Sequence, residues 1–466
     1  MYTCSMARSH NREKPTSRIY HHFKQNHETI ESDLWLVPGL VVGLGRKPKT
    51  SQHWFFLPWD FIVLVFSFFF FFWKSQTVVS GHPPPPPSPT SSSSLAYTDL
   101  DSFVHVSACD ISQGRWVYDE SYPLYRAPDC PFLDPGFRCE QNGRPNLDYM
   151  KYRWQPHDCD LPRFNATDML ERIRNQRMVF VGDSLGRNHW ESTMCMLAEA
   201  VTNKSRIYEM NGEPISKHTG FLSFRFQDYN CTVEYYRSPF LVPQTRPPPR
   251  SPSTVACALR VDTIWSSSTT NWRDADILVF NAGHWWTKHK IFDQNCYFQE
   301  GNELKMDMTL ETGFQRALQT WGKWMEDNLD TEKTHVIFRS FSPVHFRGGN
   351  WNTGGHCDQE THPMTEEEVK AEKTVAPWTN AIILNELEKN KKKEIISFLD
   401  ITTASNYRSD GHGALYQKNY TLVPTPRNRQ DCSHFCLPGV PDTWNELMFA
   451  TLLARGKRNW RKPISY

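Results

Sequence analysis

Three residues of the chain have the types and spacing that nucleophilic acyl transfer requires. Ser184 ends the segment MVFVGDS, between an apolar run and a helical pattern, where helix amides can face an oxyanion. Asp431 precedes His434 by three residues, so its carboxylate can orient the imidazole into a base. The sequence therefore predicts a Ser–His–Asp site. Two alternatives remain. Ser184 could simply cap its helix. The Asp-X-X-His spacing could be a coincidence, because about one chance match is expected in a chain of this length.

Other candidates for this site follow the same apolar run or a second one. Gly182 and Asp183 complete the motif before Ser184, and Asn281 and Gly283 belong to the segment NAGHWW. The Asn281 amide could donate to an oxyanion, unless Asn-Ala-Gly is only a turn. Candidate contacts to a substrate in an open cleft are His284, Trp285, His345, Arg347 and Trp351.

Two of these candidates also have structural interpretations. Arg347 could pair with an acidic sugar, but a surface ion pair is the somewhat more common role of such an arginine. Trp285 could stack on a sugar ring, but neighbouring tryptophans are often partly core.

The segment CSHFC offers Cys432, His434 and Cys436 as metal ligands. Zinc normally needs a fourth ligand, such as His356 or Cys357, and thiolates in an oxidising compartment tend to pair. We therefore expect disulfides here and no metal site.

The elements that position these residues alternate between apolar runs and helical patterns. The predicted strands are residues 178–181, 277–280, 335–338 and 395–399. The alternation predicts an α/β fold with a mostly parallel sheet and flanking helices. Ligands of such sheets bind at the carboxyl ends of the strands, where the segments GDS and NAGHWW lie. Residues 107–165 are rich in Cys and Trp and predict a loop-rich minor lobe held by disulfides, and residues 166–466 form the predicted catalytic domain.

Composition limits the partners. The 466 residues include 52 Lys+Arg and 51 Asp+Glu, a net charge of +1, and 39% are hydrophobic. This mixture fits a folded protein, and the near-zero charge argues against nucleic acid as a partner.

The N-terminal part predicts a membrane anchor. Residues 54–74 contain a twenty-residue apolar run in which Asp60 is the only charge, a length that can cross a bilayer. Basic residues before this run predict that residues 1–53 are cytoplasmic, and we expect them to be disordered. A cleaved signal peptide is the alternative, but the run is too long and too far from the N-terminus to suit one. Residues 75–106 are rich in Pro and Ser and predict a stalk.

The remainder of the chain has the features of a lumenal domain. Eleven of the twelve cysteines follow the predicted anchor, so at least one of them lacks a partner within the chain. Candidate glycosylation sites are Asn165, Asn203, Asn230 and Asn419.

Several long segments resemble the plant trichome-birefringence-like (PC-esterase) family. They are CDISQGRWVYDESYPLY from Cys109, RWQPHDC ending at Cys159, VFVGDSLGRNHWES from Val179 and DCSHFCLPGVPDTWNEL from Asp431. The resemblance implies an SGNH/GDSL-like fold, with Ser184 as nucleophile, His434 as base and Asp431 as its orienting acid. The long segment before the anchor and the run of Phe within the anchor depart from the family's pattern.

The resemblance also implies two disulfides, Cys109 with Cys159 and Cys130 with Cys195. Cys357, Cys432 and Cys436 are expected in further disulfides near His434, with partners that stay open.

The function implied by the resemblance is O-acetylation of wall polysaccharide in the Golgi, by a single-pass type II membrane protein with a lumenal catalytic domain. The acceptor would be pectin (rhamnogalacturonan) or xylan. No bound cofactor is expected. The acetyl donor is a co-substrate, acetyl-CoA or a carrier-derived acetyl, and membrane proteins that supply it are candidate partners. The alternatives are a polysaccharide acetyl esterase and a wall-polysaccharide binding protein without activity.

Overall fold

The computed structural model describes four stretches of the chain, residues 109–264, 271–371, 377–418 and 422–461. The predicted cytoplasmic segment, anchor and stalk lie outside these stretches. No helix within them is long and apolar enough to cross a membrane.

The strands in these stretches are, in chain order, β1 (Gly114–Tyr118), β2 (Tyr152–Pro156), β3 (Arg177–Gly182), β4 (Ile207–Glu209), β5 (Phe221–Phe226), β6 (Cys231–Arg237), β7 (Gln244–Thr245), β8 (Cys257–Arg260), β9 (Ile277–Asn281), β10 (Cys296–Glu300), β11 (Glu303–Lys305), β12 (His335–Arg339), β13 (Ile396–Leu399), β14 (His412–Ala414) and β15 (Asp431–Phe435). The α-helices are α1 (Ala166–Arg172), α2 (Ser184–Ala198), α3 (Leu310–Asn328), α4 (Glu366–Ala371), α5 (Trp378–Lys389), α6 (Thr402–Asn406) and α7 (Val440–Arg455).

The central feature is a seven-stranded sheet in the spatial order β13-β12-β9-β3-β6-β5-β4. Its first five strands run parallel, and β5 and β4 are antiparallel additions at one edge. The four strands predicted from apolar runs are β3, β9, β12 and β13, and they lie in this parallel part. Their carboxyl ends therefore meet at one edge of the sheet, the location at which α/β sheets bind ligands.

Helices cover both faces of this sheet, which is why its strands lack polar alternation. Met178 and Phe180 of β3 pack in a core cluster with residues of α2 and α7. Val179 and Val181, which point the other way, pack in a second cluster with residues of α3 and α5. The α/β arrangement predicted from the sequence is thus a helix–sheet–helix sandwich around β3.

The smaller sheets lie outside this sandwich. Strands β1 and β2 form an antiparallel hairpin, and so do β14 and β15. The remaining four strands form a mixed sheet in the order β11-β10-β8-β7. The β14–β15 hairpin matters most for function because it contains both Asp431 and His434.

The N-terminal region, predicted as a loop-rich lobe, contains the β1–β2 hairpin and several short 3₁₀ turns. It is attached to the rest of the molecule by buried contacts. The Trp116 indole donates to the Ala404 carbonyl at 2.8 Å, and the Tyr122 hydroxyl donates to Glu446 at 2.6 Å.

Five disulfides form in the described residues, namely Cys109–Cys159, Cys130–Cys195, Cys139–Cys436, Cys257–Cys296 and Cys357–Cys432. The first two are the pairs that the family resemblance implies. The sequence did not indicate Cys139 or the Cys257–Cys296 pair. Among the described residues, Cys231 is the unpaired thiol, and it is buried.

Candidate active site

Ser184 is the first residue of α2, directly after the turn that follows β3. The helix is capped by its neighbour: Asp183 Oδ1 accepts from the backbone N–H of Leu185 at 2.9 Å and of Gly186 at 3.3 Å. A side-chain oxygen in this position satisfies amides that the helix leaves unpaired. The alternative role for Ser184, as the cap of its own helix, is therefore taken by Asp183.

Asp183 is a buried carboxylate that stays ionised. Burial raises its pKa, but His284, Arg339 and a hydrogen bond from Asn281 outweigh burial and hold the pKa at about 2. The Asn281 amide donates to Asp183 Oδ1 at 2.7 Å, and His284 Nδ1 lies 3.6 Å from Oδ2. An ionised carboxylate has no proton to donate, so Asp183 serves the motif as a helix cap and not as an oxyanion donor.

Two glycines allow Asn281 to approach the turn before Ser184. A Cβ at Gly182 would lie 1.9 Å from Asn281 Oδ1, and a Cβ at Gly186 would lie 2.2 Å from the same atom. Such separations are far below van der Waals contact, so any larger residue must displace the amide. Both glycines are thus required for the close packing of Asn281 against the start of α2.

His434 and Asp431 form a close pair on β15. The Nδ1 atom of His434 lies 2.8 Å from Asp431 Oδ2, and each side chain is 25% exposed. Asp431 Oδ1 also accepts from the backbone N–H of Ser433 and of His434, each at 3.0 Å. Nε2 of His434 has no hydrogen-bond partner in the described part of the chain. This is the arrangement of a carboxylate-oriented base with one ring nitrogen left for a substrate proton.

Each member of the pair shifts the pKa of the other in the direction that favours its charged form. Burial lowers the pKa of His434, but the charge of Asp431 and its hydrogen bond outweigh burial, so the net shift is upward. Burial raises the pKa of Asp431, but His434 and the backbone amides hold it well below its usual range. Asp431 therefore stays ionised and stabilises the imidazolium that forms when His434 takes a proton.

An irregularity in β15 brings residues 431 and 434 onto the same side. In a regular strand, residues three apart point to opposite faces. The register shifts between His412 and Ala414, which pair with Phe435 and Asp431 respectively, so β15 has additional residues over this span. The sequence predicted that the two residues share one side of a turn, and the structure achieves this with a bulged strand.

Direct hydrogen bonds join the strand of His434 to the helix of Ser184. Asn188, one turn into α2, donates to the Phe435 carbonyl at 3.1 Å and accepts from the Phe435 N–H at 2.9 Å. The ring of Phe137 lies 5.8 Å from that of His434, between centroids. These bonds hold β15, which contains Asp431 and His434, against the first turns of the helix that begins at Ser184.

Two disulfides flank His434. Cys432 pairs with Cys357, and Cys436 pairs with Cys139. Both cysteines of CSHFC are therefore covalently paired, which overturns the interpretation of this segment as a metal site. The covalent links hold β15 to two distant parts of the chain.

His345 is not a cleft residue. It is buried, and its Nδ1 lies 2.7 Å from Nε2 of His412, while its Nε2 lies 3.1 Å from the Asn406 carbonyl. His412 in turn donates through Nδ1 to the His434 carbonyl at 2.9 Å. The predicted contact between His345 and substrate is wrong. The buried imidazole contacts His412, which in turn is hydrogen-bonded to the backbone of β15.

Two further candidates are engaged within the protein. His284 is stacked on Phe341, with ring centroids 4.1 Å apart, and its Nε2 donates to the Ser342 carbonyl at 2.7 Å. Arg347 donates to Glu360 at 3.1 Å, which is the ion pair considered as its alternative. Both side chains are thus engaged by neighbouring residues of the protein.

The remaining candidates are Trp351, Trp285 and Gly283. Trp351 is 48% exposed and Trp285 is partly buried, whereas the neighbouring Trp286 is core. Gly283 has a φ of 136°, and a Cβ there would lie 3.1 Å from Phe341. Gly283 therefore allows the chain to turn from Asn281 towards Trp285.

Sequence reasoning missed two residues next to Ser184. One is Asn188, described above, and the other is Arg339, at the carboxyl end of β12. Arg339 donates to the Leu185 carbonyl at 3.2 Å and lies 4.6 Å above the Trp444 ring. Burial lowers its pKa to about 10, against the opposing charge of Asp183. The sequence contained a sign of these contacts. Helix α2 reads SLGRNHWEST, and the polar side chains of a buried helix need hydrogen-bond partners inside the protein.

Three of the four candidate glycosylation sites are described. Asn165, Asn203 and Asn230 are exposed, and the Oδ1 atoms of Asn165 and Asn203 cap short helical turns. Asn419 lies outside the described residues.

Comparison with known proteins shows the family to which the chain belongs. Residues 161–451 match the PC-Esterase family, described as a GDSL/SGNH-like acyl-esterase family found in Pmr5 and Cas1p, and residues 107–160 match the PMR5 N-terminal domain. Protein trichome birefringence-like 9 of Arabidopsis thaliana is 49% identical over 358 residues, which are 75% of this chain and 85% of that protein. Protein trichome birefringence-like 6 of the same plant is 44% identical over 351 residues, 75% of this chain and 71% of the relative. The chain therefore belongs to the trichome birefringence-like family of PC-esterase proteins.

Proposed function

We propose that the chain is an O-acetyltransferase that acetylates sugar hydroxyls of a cell-wall polysaccharide, pectin or xylan. The observation that carries the proposal is the 2.8 Å contact between His434 Nδ1 and Asp431 Oδ2, on a strand hydrogen-bonded to the helix that begins at Ser184. Membership of an acyl-esterase family supports acyl chemistry at this site.

In the first half-reaction, Ser184 attacks the carbonyl carbon of an acetyl donor. Its Oγ–H proton passes to Nε2 of His434 while the new C–O bond forms. The second N–H of the Asn281 amide, whose first donates to Asp183, stabilises the oxyanion. The intermediate then collapses, the donor's leaving group takes the proton from His434, and an acetyl ester remains on Ser184.

In the second half-reaction, a sugar hydroxyl replaces the leaving group. It gives its proton to Nε2 of His434 and attacks the acetyl carbonyl carbon. Collapse of this second intermediate breaks the bond to Ser184 Oγ, which recovers its proton from His434. One base thus serves both steps, and Asp431 stabilises the imidazolium in each.

The proposed setting is the Golgi lumen, with residues 54–74 as the membrane anchor. The long apolar run, the exposed sequons and the five disulfides support an oxidising lumenal compartment. Acetyl-CoA or a carrier-derived acetyl is the proposed donor, supplied with the help of other membrane proteins.

The test uses the full-length chain purified in detergent and oligosaccharide acceptors from pectin and xylan. Mass spectrometry of the acceptor after incubation with donor should detect added acetyl groups. Ser184→Ala should abolish this gain, because it removes the proposed nucleophile. Ser112→Ala removes an exposed hydroxyl that is distant from Ser184 in the sequence. It is the matched control and should retain full transfer.

Other outcomes identify other functions. Loss of acetyl from an acetylated oligosaccharide, without any gain on a free one, would make the protein an esterase. Oligosaccharide binding without either reaction would make it a binding protein. Transfer that persists in Ser184→Ala would exclude the proposed mechanism.

A further inference from the structure

Two cationic side chains at the rim of the sheet lie against tryptophan rings and not beside carboxylates. The Lys290 ammonium lies 5.0 Å from the ring centroid of Trp285 and 5.0 Å from that of Trp351. The Arg237 guanidinium lies 5.5 Å from the centroid of Trp285. Within the described residues, neither cation forms an ion pair with Asp or Glu. We refer to Arg237, Trp285, Lys290 and Trp351 as the cationic tryptophan patch.

The patch lies at the edge of the sheet that carries the predicted nucleophile. Arg237 ends β6 and is in register with Gly182 of β3, two residues before Ser184. The next residue, Ser238, donates to the Gly182 carbonyl at 2.7 Å. Trp285 follows His284, whose ring lies 3.6 Å from the Asp183 carboxylate. A sugar chain that presents a hydroxyl to Ser184 can therefore reach the patch with a neighbouring residue.

The chemistry of the patch matches an acidic sugar. Partly exposed tryptophan faces can stack on the apolar face of a pyranose ring, and unpaired cations can bind a carboxylate. Lys290 lies between two aromatic rings, which limits its rotamers before any ligand binds and reduces the entropy lost on binding. Arg347, the arginine that the sequence suggested for this task, is instead paired with Glu360.

We propose that Arg237 and Lys290 bind the carboxylate of a uronic acid residue in the acceptor, and so direct the enzyme to acidic polysaccharides of the galacturonan type over neutral xylan. This inference rests on the acetyl transfer proposed above and specifies its acceptor class. A neutral pentose polymer would stack on the same tryptophans but would leave both cations without a partner.

The test compares three acceptors with the full-length chain: an oligogalacturonide, its methyl ester and a xylo-oligosaccharide. The methyl ester keeps the sugar but removes the charge. Lys290→Gln and Arg237→Gln should each raise KM for the oligogalacturonide about tenfold, with kcat within about twofold, because a charge-assisted contact is lost. KM for the methyl ester should not change. Lys288→Gln, an exposed lysine two residues away, is the matched control and should behave as the wild type.

Binding to the Ser184→Ala variant separates this inference from the proposed function. Calorimetric titration with oligogalacturonide should give an affinity that falls with added salt and with Lys290→Gln. The same binding, together with a wild-type protein that transfers no acetyl, would support the patch and reject the proposed function. Acetyl transfer with equal KM for the charged and methyl-esterified acceptors, unaffected by Lys290→Gln, would reject the patch and leave the proposed function in place.

Discussion

The protonation of His434 depends chiefly on one carboxylate. Burial of the imidazole favours its neutral form, and the charge of Asp431, 2.8 Å away, favours the cation more strongly. A general base must be neutral to accept a proton, so activity should rise with pH as His434 loses its proton. Because the pKa of His434 is raised, this rise should lie above the ordinary histidine value of about 6.5.

Replacement of Asp431 by Asn tests this assignment. The change should lower kcat about 10³- to 10⁴-fold, because the amide neither orients the ring correctly nor stabilises the imidazolium. The remaining activity should rise at lower pH than in the wild type, because the charge that raises the pKa of His434 has gone. The measurement is the pH profile of kcat, with Asp110→Asn as a control at an exposed position. An unshifted profile would show that Asp431 does not act on the titrating group.

The glycine at position 186 is a second test at this scale. Alanine in a helix is normally more favourable than glycine by about 1 kcal/mol. At Gly186, however, the new Cβ would lie 2.2 Å from Asn281 Oδ1, so Gly186→Ala should destabilise the protein by about 1–3 kcal/mol and lower kcat. Denaturant unfolding measures the first effect. Gly220→Ala, which has open space around it, should be neutral, and equal behaviour of the two variants would contradict the close packing.

Among the elements, β15 depends most on covalent support. It pairs only briefly with β14, and Cys432 and Cys436 on either side of His434 are tied to Cys357 and Cys139. A strand with so few ladder hydrogen bonds has little intrinsic stability. We infer that these disulfides hold the base in position as well as stabilising the fold.

Removal of one disulfide near the site and one far from it separates these two roles. The double variant Cys357→Ser, Cys432→Ser should lose about 2–5 kcal/mol of stability and also lose kcat at temperatures where it remains folded. The matched variant Cys257→Ser, Cys296→Ser removes a link between β8 and β10. It should lose comparable stability and retain kcat. Equal losses of kcat in both variants would contradict a positioning role.

The elements differ in how far the sequence predicts them. Strands β3, β9 and β12 are apolar runs because both of their faces are buried. The apolar runs locate these strands and β13 within a residue or two. Strand β6 lies next to β3 but was not predicted, since Glu234 and Arg237 interrupt its apolar character. The structure accommodates Glu234 by pairing it with Arg177 at 2.8 Å, a contact between distant segments that local patterns do not encode.

At the scale of the whole molecule, buried acids connect the N-terminal region with the catalytic domain. Tyr125 donates to Asp442 of α7 at 3.1 Å, and Tyr122 donates to Glu446 at 2.6 Å. Burial raises the pKa of each carboxyl to about 7, although hydrogen bonds from the tyrosines partly oppose it. Both acids therefore retain a proton in the folded protein at pH values where the unfolded chain has lost it.

This difference makes stability depend on pH. The pKa of each carboxyl is raised in the folded protein above the unfolded value of about 4. Each group therefore makes its full contribution to stability below pH 4, and this contribution is lost as pH rises through about 7. Calorimetry should give a Tm about 5 °C lower at pH 8 than at pH 5. Glu446→Gln keeps an oxygen for Tyr122 but cannot ionise, so it should flatten this dependence. Glu332→Gln, at an exposed position, should leave the pH dependence of Tm unchanged. Identical curves for both variants would contradict the assignment.

The site was predictable only where local motifs encode it. Ser184, His434 and Asp431 could be predicted as a candidate triad because a strand–turn–helix junction and an Asp-X-X-His spacing are local features. His345 was misassigned, and the ion-pair role of Arg347 could be given only as an alternative, because their partners, His412 and Glu360, are determined by tertiary packing. Arg237 and Lys290 were missed for the same reason, since their relation to Trp285 exists only in the folded chain.

The most direct test of the account is to trap the acetyl-enzyme. The full-length protein is incubated with acetyl donor in the absence of acceptor, digested and analysed by mass spectrometry for acetylated peptides. We predict one acetyl ester on Ser184, which disappears when an acceptor oligosaccharide is added. Acceptor acetylation without any acetyl on Ser184, or an acetyl ester on a different residue, would contradict the mechanism.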